Sequence, residues 1–235
     1  MMLLVTLWMV RAGRHGEGEN DALTAGVVGI GWPEVGNLTQ VASAEDIRTR
    51  LNETFPDAKP STLANWAGQI GAFRFQMQVG DLVALPLKSA PAVAFGKLNG
   101  GYRYVADAIS AIRHQRSVEW ISDGVPRDAI DQDLLYSLGA FLTVCRISRN
   151  DAERRIQALL AAPLTAGPDS ARPVDPTTVI EPEEIADATV DLGEIGRDQI
   201  RRRLTERFKG HALARLVSEL LKAEGFVCDV SPGRS

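Results

Sequence analysis

The stretch Val79-Gly-Asp-Leu-Val-Ala-Leu-Pro86 decides how the rest of the chain is read. Gly80 permits a positive backbone angle, Asp81 can bond its own backbone to close a turn, and Leu82 to Leu85 is a short apolar run that Pro86 ends. That pattern predicts a buried strand opened by a tight turn. Working outward, residues 3–10, 25–32, 92–98, 102–105, 116–120 and 141–147 read as further strands, most of them bounded by Gly, Pro or Asp. Helices interrupt them. Ser43-Ala-Glu-Asp46 is a capping-box-like start for a helix to Thr54, and Ser61 can cap residues 62–70. Ile130, Leu134, Leu135 and Leu138 share one stripe over residues 128–138, and Asn150 heads a helix to about Ala161. The fold class expected is α+β.

The 235 residues leave room for one large or two small domains, and a hydrophobic fraction of 45% is enough to bury a core. No apolar run reaches the length of a membrane span, and residues 1–10 lack the basic flank and cleavage site of a signal peptide, so a cytoplasmic location without a membrane partner is expected. Cys145 and Cys228 lie far apart in apolar surroundings and read as buried free thiols. The net charge of −4 gives no global case for nucleic acid, but charge is unevenly spread. Residues 175–194 carry only acidic charges, whereas Arg197, Arg201, Arg202, Arg203, Arg207 and Lys209 follow closely. Either this is a helix whose charges suit its dipole, or Arg201 and Arg202 belong to a basic face that touches phosphates.

Pro163, Gly167, Pro168, Pro173, Pro176 and Pro182 mark a semi-extended linker. The division expected is a first domain over residues 1–162, a linker over 163–182 and a helical segment over 183–235. In that last segment Leu213, Leu216, Val217, Leu220 and Leu221 follow helical spacing up to Gly225, and Phe226-Val-Cys-Asp-Val230 is strand-like. Alone this makes a thin core, so the segment is expected to dock on the first domain, to pair with another chain, as in a homodimer through these helices, or to remain partly mobile.

Two resemblances extend this reading. The segment from Arg207 to Gly233 resembles the opening of the catalytic domain of Mrr-type, modification-dependent restriction endonucleases, in which such a helix and strand precede a metal-binding carboxylate and a Gln/Glu-x-Lys element. Only Gly233, Arg234 and Ser235 follow Pro232, so the resemblance implies an α/β nuclease domain that is incomplete before its catalytic motifs. It implies magnesium for a full-length nuclease and assigns no catalytic residue or cofactor here.

The second covers Trp66-Ala-Gly-Gln69, Phe73-Arg-Phe75, Val79 to Pro86, Val93-Ala-Phe-Gly96, Gly101-Tyr-Arg-Tyr104 and Arg116-Ser-Val-Glu-Trp120. Together these are similar to the PUA-like small β-barrels with peripheral helices, a group that includes the EVE and YTH readers of modified bases. The resemblance implies a pocket lined by aromatic residues on the barrel face.

A flipped base is held between aromatic faces, and its edge is bonded by polar groups. Trp8, Trp32, Trp66, Tyr102, Tyr104 and Trp120 supply the rings, with Trp32 at a Trp-Pro junction and Trp66 beside Asn65 and Gln69, which can bond a base edge. Tryptophans in a domain of this size are usually core or interface residues, so each ring also has a core reading. Asp81 reads as a turn residue. Arg11 and Arg14, set with His15 among glycines, can approach a phosphate or form a solvated loop with Glu17 and Glu19. Arg113-His-Gln-Arg116 reads as a surface turn or as a phosphate clamp through Arg113 and Arg116.

His15, His114 and His211 show no metal-ligand spacing with the cysteines, and no phosphate-binding loop, nucleophile elbow or zinc-protease motif is present. The function expected is the DNA-binding part of an Mrr-like restriction endonuclease that defends against methylated foreign DNA. The alternatives are a PUA-like module for RNA or a modified nucleotide, and a non-catalytic interaction protein whose aromatics are all core.

Overall fold

The carboxylate of Asp81 accepts three hydrogen bonds, from the backbone N–H groups of Thr6 (3.1 Å) and Gln78 (2.9 Å) and from the indole N–H of Trp8 (2.9 Å). It closes the turn at Gly80, whose φ is +100°, and also ties that turn to the first strand of the chain. A buried carboxylate with three donors is well satisfied, and its loss would strand all three.

The computed structural model describes residues 5–161, 192–208 and 211–230. It divides into two compact units, Met1–Val190 and Asp191–Ser235. In the first, β1 (Leu7–Val10), α1 (Glu19–Ala25), β2 (Val27–Ile30), α2 (Ala44–Thr54), α3 (Pro60–Gly71), β3 (Leu82–Pro86) and β4 (Ala92–Tyr104) are followed by β5 (His114–Pro126), α4 (Gln132–Leu138), β6 (Val144–Ile147) and α5 (Ala152–Ala161). The second holds α6 (Leu192–Arg207) and α7 (His211–Ala223). Residues 163–182, expected as a linker, lie outside the described residues.

Six strands form one mixed sheet in the order β2-β5-β4-β3-β1-β6. Only β1 and β3 run parallel, and every other pair is antiparallel. The fold is therefore α+β. Strands β1, β2 and β3 are buried throughout, because helices cover both faces. On one face Trp8, Val10, Val28, Ile30 and Val83 meet Ile47 and Leu51 of α2 and Leu63, Ala67 and Ile70 of α3. On the other, Leu7, Met9, Ala84, Phe95 and Val125 meet Leu134, Leu135 and Leu138 of α4 and Ile156 of α5. Alternate residues of β1 thus feed different cores, as the two-residue period requires. Each fully buried Leu or Ile contributes roughly 1.5–3 kcal/mol.

The capping box of α2 forms as expected: Ser43 Oγ accepts from the Asp46 N–H (3.1 Å), and the Asp46 carboxylate accepts from the Ser43 N–H (2.9 Å). Three elements differ from the sequence reading. The glycine-rich segment after β1 contains α1, because Glu19 is buried where it accepts from the N–H groups of Lys88 (2.6 Å) and Ser89 (3.1 Å), fixing the helix start to the β3–β4 turn. The two expected strands at 92–98 and 102–105 are one strand, β4, with an irregularity between Leu98 and Tyr102 that β5 bridges. Residues 226–230 form no strand, since nothing pairs with them among the described residues. Instead Gly225 (φ +90°) ends α7 in a Schellman motif, with its N–H bonded to Lys222 O and that of Phe226 to Leu221 O. Leu213, Val217, Leu220 and Leu221 of α7 are exposed.

Candidate nucleic-acid interface

His114 opens β5, where it faces Ile30 at the end of β2 on one side and Tyr104 at the end of β4 on the other. Only 1% of it is exposed. Its Nε2 lies 3.3 Å from the carbonyl of Trp32, and its Nδ1 lies 2.8 Å from Tyr102 Oη. A carbonyl only accepts, so Nε2 carries the proton and Nδ1 accepts from the tyrosine hydroxyl. The tyrosine oxygen in turn accepts from the Leu38 N–H (3.2 Å). Burial pushes the His114 pKa below its ordinary value, partly opposed by the bond to Trp32. Burial likewise raises Tyr102, against the Leu38 bond and the nearby Arg74 charge. Both shifts favour the neutral forms that this relay needs.

The relay ends on a strained residue. Trp32 sits at φ 58°, ψ 53°, in the left-handed region. A bulky side chain there is unusual, and Pro33 pushes its predecessor toward extended backbone, so the conformation costs on the order of 1–3 kcal/mol. Its carbonyl is held twice, by His114 and by the Val35 N–H (3.1 Å). The loop that follows is clamped by two arginines. Arg50 donates to Asn37 O (2.7 Å), and Arg74 donates to Leu38 O and Thr39 O (3.2 Å each) while lying 5.0 Å over the rings of Tyr102 and Phe75.

Trp32 and Trp66 meet edge to face at 6.4 Å, and Phe55 adds a second edge contact to Trp66 at 5.2 Å. Tyr104 packs edge-on against His114 at 5.2 Å. Trp32, Trp66, Tyr102 and Tyr104 are all half-buried, so each rests on the core or its border and still presents part of its surface. The sequence-predicted rings at 32, 66, 102 and 104 are thus brought to one end of the sheet.

An open cleft of about 340 Å³ adjoins this group, lined by Arg14 and Glu17 of the loop after β1, by Gly31, Pro33 and Glu34 around Trp32, and by Ser110 between β4 and β5. The loop reaches the cleft because glycine lets it pack closely: a Cβ on Gly18 would lie 2.7 Å from Ile112 Cγ2. Glu17 accepts from the His15 N–H (3.0 Å), and its pKa is lowered first by a bond from its own N–H and then by that from His15. Among the described residues Arg14 and Glu34 have no hydrogen-bond or ion-pair partner.

Other expected contacts have structural work. Gln69 accepts from the Thr143 and Val144 N–H groups (2.7 and 3.1 Å) and donates to Asn65 Oδ1 (2.6 Å), so Gln69 ties α3 to β6 with both of its amide atoms engaged. Arg116 is 5% exposed and donates to Phe73 O (2.7 Å) and Arg74 O (3.1 Å), which makes it an internal strut and not a phosphate clamp. Burial lowers its pKa. Arg113 donates to Ala108 O within its own loop, and Arg11 donates to Leu138 O at the end of α4. Trp120 donates to Ala22 O beneath α1, and Trp8 is buried on Asp81; neither makes a ring contact with Trp32 or Trp66 among the described residues. Arg201 and Arg202 lie on α6 in the second unit, beside Asp198 (3.8 Å) and Glu206 (3.0 Å). Cys145 and Cys228 are free and half-buried, not fully buried as expected; burial raises the Cys145 pKa. Among the described residues no cluster of three or more His, Cys, Asp or Glu is placed to hold a metal, and no helix is long and apolar enough to cross a membrane.

Sequence reasoning missed His114, Arg74, Arg50, Phe55 and Glu34. The pairing of Tyr102 and Tyr104 with the start of β5 was the available signal for His114, but it needed the register of the β4–β5 hairpin.

A family model described as "Domain of unknown function (DUF8426)" matches residues 8–138, more than half of the chain. The chain belongs to the DUF8426 family. Its matched segment runs from β1 to the end of α4, and so contains the whole aromatic group, the His114 relay and the cleft. A search of curated proteins found no match.

Proposed function

We propose that the DUF8426 unit is a reader of modified bases in DNA, built on a PUA-like scaffold, and that the chain is the DNA-binding part of an Mrr-like, modification-dependent restriction endonuclease. The observation that carries the reading is Trp32. A half-exposed indole on a left-handed, pre-proline residue, braced by a buried histidine and edge-packed on Trp66, is a costly arrangement that core packing alone does not call for. A fixed aromatic face is what an extruded base needs, since stacking on such a ring contributes about 1–3 kcal/mol. Arg14, at the cleft beside it, is available to a phosphate. The nuclease part of the reading rests on the sequence resemblance of the segment after Arg207 alone, of which the helix forms and the expected strand over residues 226–230 does not, and cleavage is assigned to no residue of this chain.

The test is a fluorescence-anisotropy titration of the full chain against matched duplexes that are unmodified or carry methylcytosine or methyladenine, at two salt concentrations. The reading expects one modified duplex to bind more tightly, a preference kept at higher salt and lost in Trp32→Ala or Trp66→Ala. Equal weak binding that disappears with salt would reduce the interaction to phosphate attraction and defeat the reader account. Tighter binding to single-stranded RNA would favour the RNA-module reading.

A further inference from the structure

α7 leaves its apolar side to solvent. Leu213, Leu216, Val217, Leu220 and Leu221 fall on one stripe at helical spacing, yet Leu213 is 41% exposed, Val217 46%, Leu220 59% and Leu221 39%. The residue of this helix that is buried is Ser218, on the opposite side from Leu216 and Leu220, and its hydroxyl has no hydrogen-bond partner among the described residues. A helix that packs chiefly on its own chain does the reverse, turning its leucines inward and its serine out. The apolar surface also continues past the helix end. The Schellman turn at Gly225 bonds the Phe226 N–H to Leu221 O, which holds the exposed Phe226 at the Leu221 end of the stripe, with the exposed Val227 next to it. The six exposed side chains, Leu213, Val217, Leu220, Leu221, Phe226 and Val227, offer on the order of 600 Å² of apolar surface, the size of patch that marks an interaction site.

We infer that this face is the interface of a twofold dimer, in which α7 lies antiparallel to α7 of a second copy of the chain and crosses it at Val217. The inference concerns the second unit alone and does not depend on the reader account. Charge selects both the occupant and its direction. Glu224, whose N–H bonds to Leu220 O, continues the stripe one turn beyond Leu220 at the negative end of the helix. A carboxylate there suits neither a lipid surface nor the phosphates of DNA. The other end of α7 opens at His211, and its first turn holds no acidic residue. Antiparallel pairing sets the Glu224 carboxylate of each copy against the positive helix start of the other, whereas parallel pairing would set Glu224 on Glu224. With the crossing at Val217, Leu213 meets Leu221 of the second copy and Leu220 covers its Ala214. Ala214 and Ala223 flank the stripe and let the two axes approach closely. The two copies together bury about 1,200 Å², the lower limit of a stable specific interface, which fits a dimer that forms at micromolar concentration. A twofold contact of this kind closes on itself and leaves no second apolar face open.

Sedimentation equilibrium of the full chain at about 100 μM should give the mass of a dimer. Leu220→Glu, a change at a residue that is 59% exposed and therefore compatible with the fold, should raise the dissociation constant about tenfold or more. Cross-linking then reads the direction, in a chain freed of its own thiols by Cys145→Ser and Cys228→Ser. At ordinary helix spacing the two Val217 Cα atoms on the twofold axis lie about 4–6 Å apart, within disulfide range. Val217→Cys should therefore oxidise to a covalent dimer by itself. Leu213→Cys should not, because its counterpart is Leu221, and an equal mixture of Leu213→Cys and Leu221→Cys chains should. A native chain that stays monomeric at this concentration would overturn the inference and leave the face to the chain's own first unit or to another partner. A dimer that survives Leu220→Glu and leaves Val217→Cys uncross-linked associates through another surface, and the inference fails equally. If Leu213→Cys cross-links alone as readily as Val217→Cys, the helices run parallel and the charge argument is wrong.

Discussion

Replacing His114 by glutamine tests the relay that fixes Trp32. Native His114 is neutral, with Nε2–H on the Trp32 carbonyl and Nδ1 accepting from Tyr102. Its folded pKa is depressed below the ordinary 6.5 by burial. As pH falls through about 6.5 the unfolded chain therefore binds a proton that the folded chain refuses, and the fold loses stability at up to about 1.4 kcal/mol per pH unit until the folded pKa is reached. Above that window the contribution is fully present, and below the folded pKa the slope disappears. A glutamine can keep a donor near the Trp32 carbonyl but does not titrate. The variant should be less stable at pH 8 by about 1–2 kcal/mol, from one altered buried hydrogen-bond pair. Urea unfolding followed by tryptophan fluorescence at several pH values from 8 to 5 gives the difference between the two proteins, in which titrations elsewhere cancel. The native protein should lose its advantage steadily below pH 6.5. A difference that stays constant with pH would show that His114 is not held neutral, and the assigned tautomer would be wrong.

Other perturbations separate the frame from the site. Asp81→Ala strands the donors of Thr6, Trp8 and Gln78 and should cost about 3–5 kcal/mol in chemical denaturation, one of the largest single-residue losses in this unit. Gln69→Ala should lower stability by about 1–3 kcal/mol, because the Thr143 and Val144 N–H groups lose their acceptor, and should leave any preference between modified and unmodified duplexes unchanged in the anisotropy titration. Arg155 pairs with Asp131 and, at 2.6 Å, with Asp133, joining α5 to the start of α4, and the hydrogen bond from Arg155 depresses the Asp133 pKa. That contribution is present above the unfolded carboxylate value and fades as pH falls through the lower folded value, so Arg155→Met should flatten the acid limb of the stability curve in unfolding measured from pH 5 to 2.

The parts of this fold that were legible share a local cause. Gly80-Asp81 and Pro86 bracket β3, and Ser43 with Asp46 starts α2, because turn and cap chemistry is written in adjacent residues. The convergence of Trp32, Trp66, Tyr102 and Tyr104 was legible as a list of rings, though not as a geometry. What sequence could not show is long-range satisfaction of polar groups. Arg116 looked like a surface clamp, yet its guanidinium is spent on two carbonyls more than forty residues away in the chain. Glu19 looked like a loop acid and is the buried anchor of α1. Gln69 looked free to read a base, but two N–H groups at the start of β6 claim its oxygen. A buried polar residue reads as an exposed one until its partner is known. Strand-like composition in Phe226-Val-Cys-Asp-Val230 erred the other way, because a strand exists only where another pairs with it.

The central claim is that a base leaves the duplex and stacks at the Trp32 end of the sheet. The most direct measurement places 2-aminopurine next to a modified base in a duplex and follows its fluorescence as the full chain is added. The account predicts a saturable rise, as the reporter loses its stacked neighbour, with the same midpoint as binding and absent for both the unmodified duplex and Trp32→Ala. Binding of the modified duplex with no change in the reporter would mean that the base stays in the helix, and the aromatic group would then have no part in recognition.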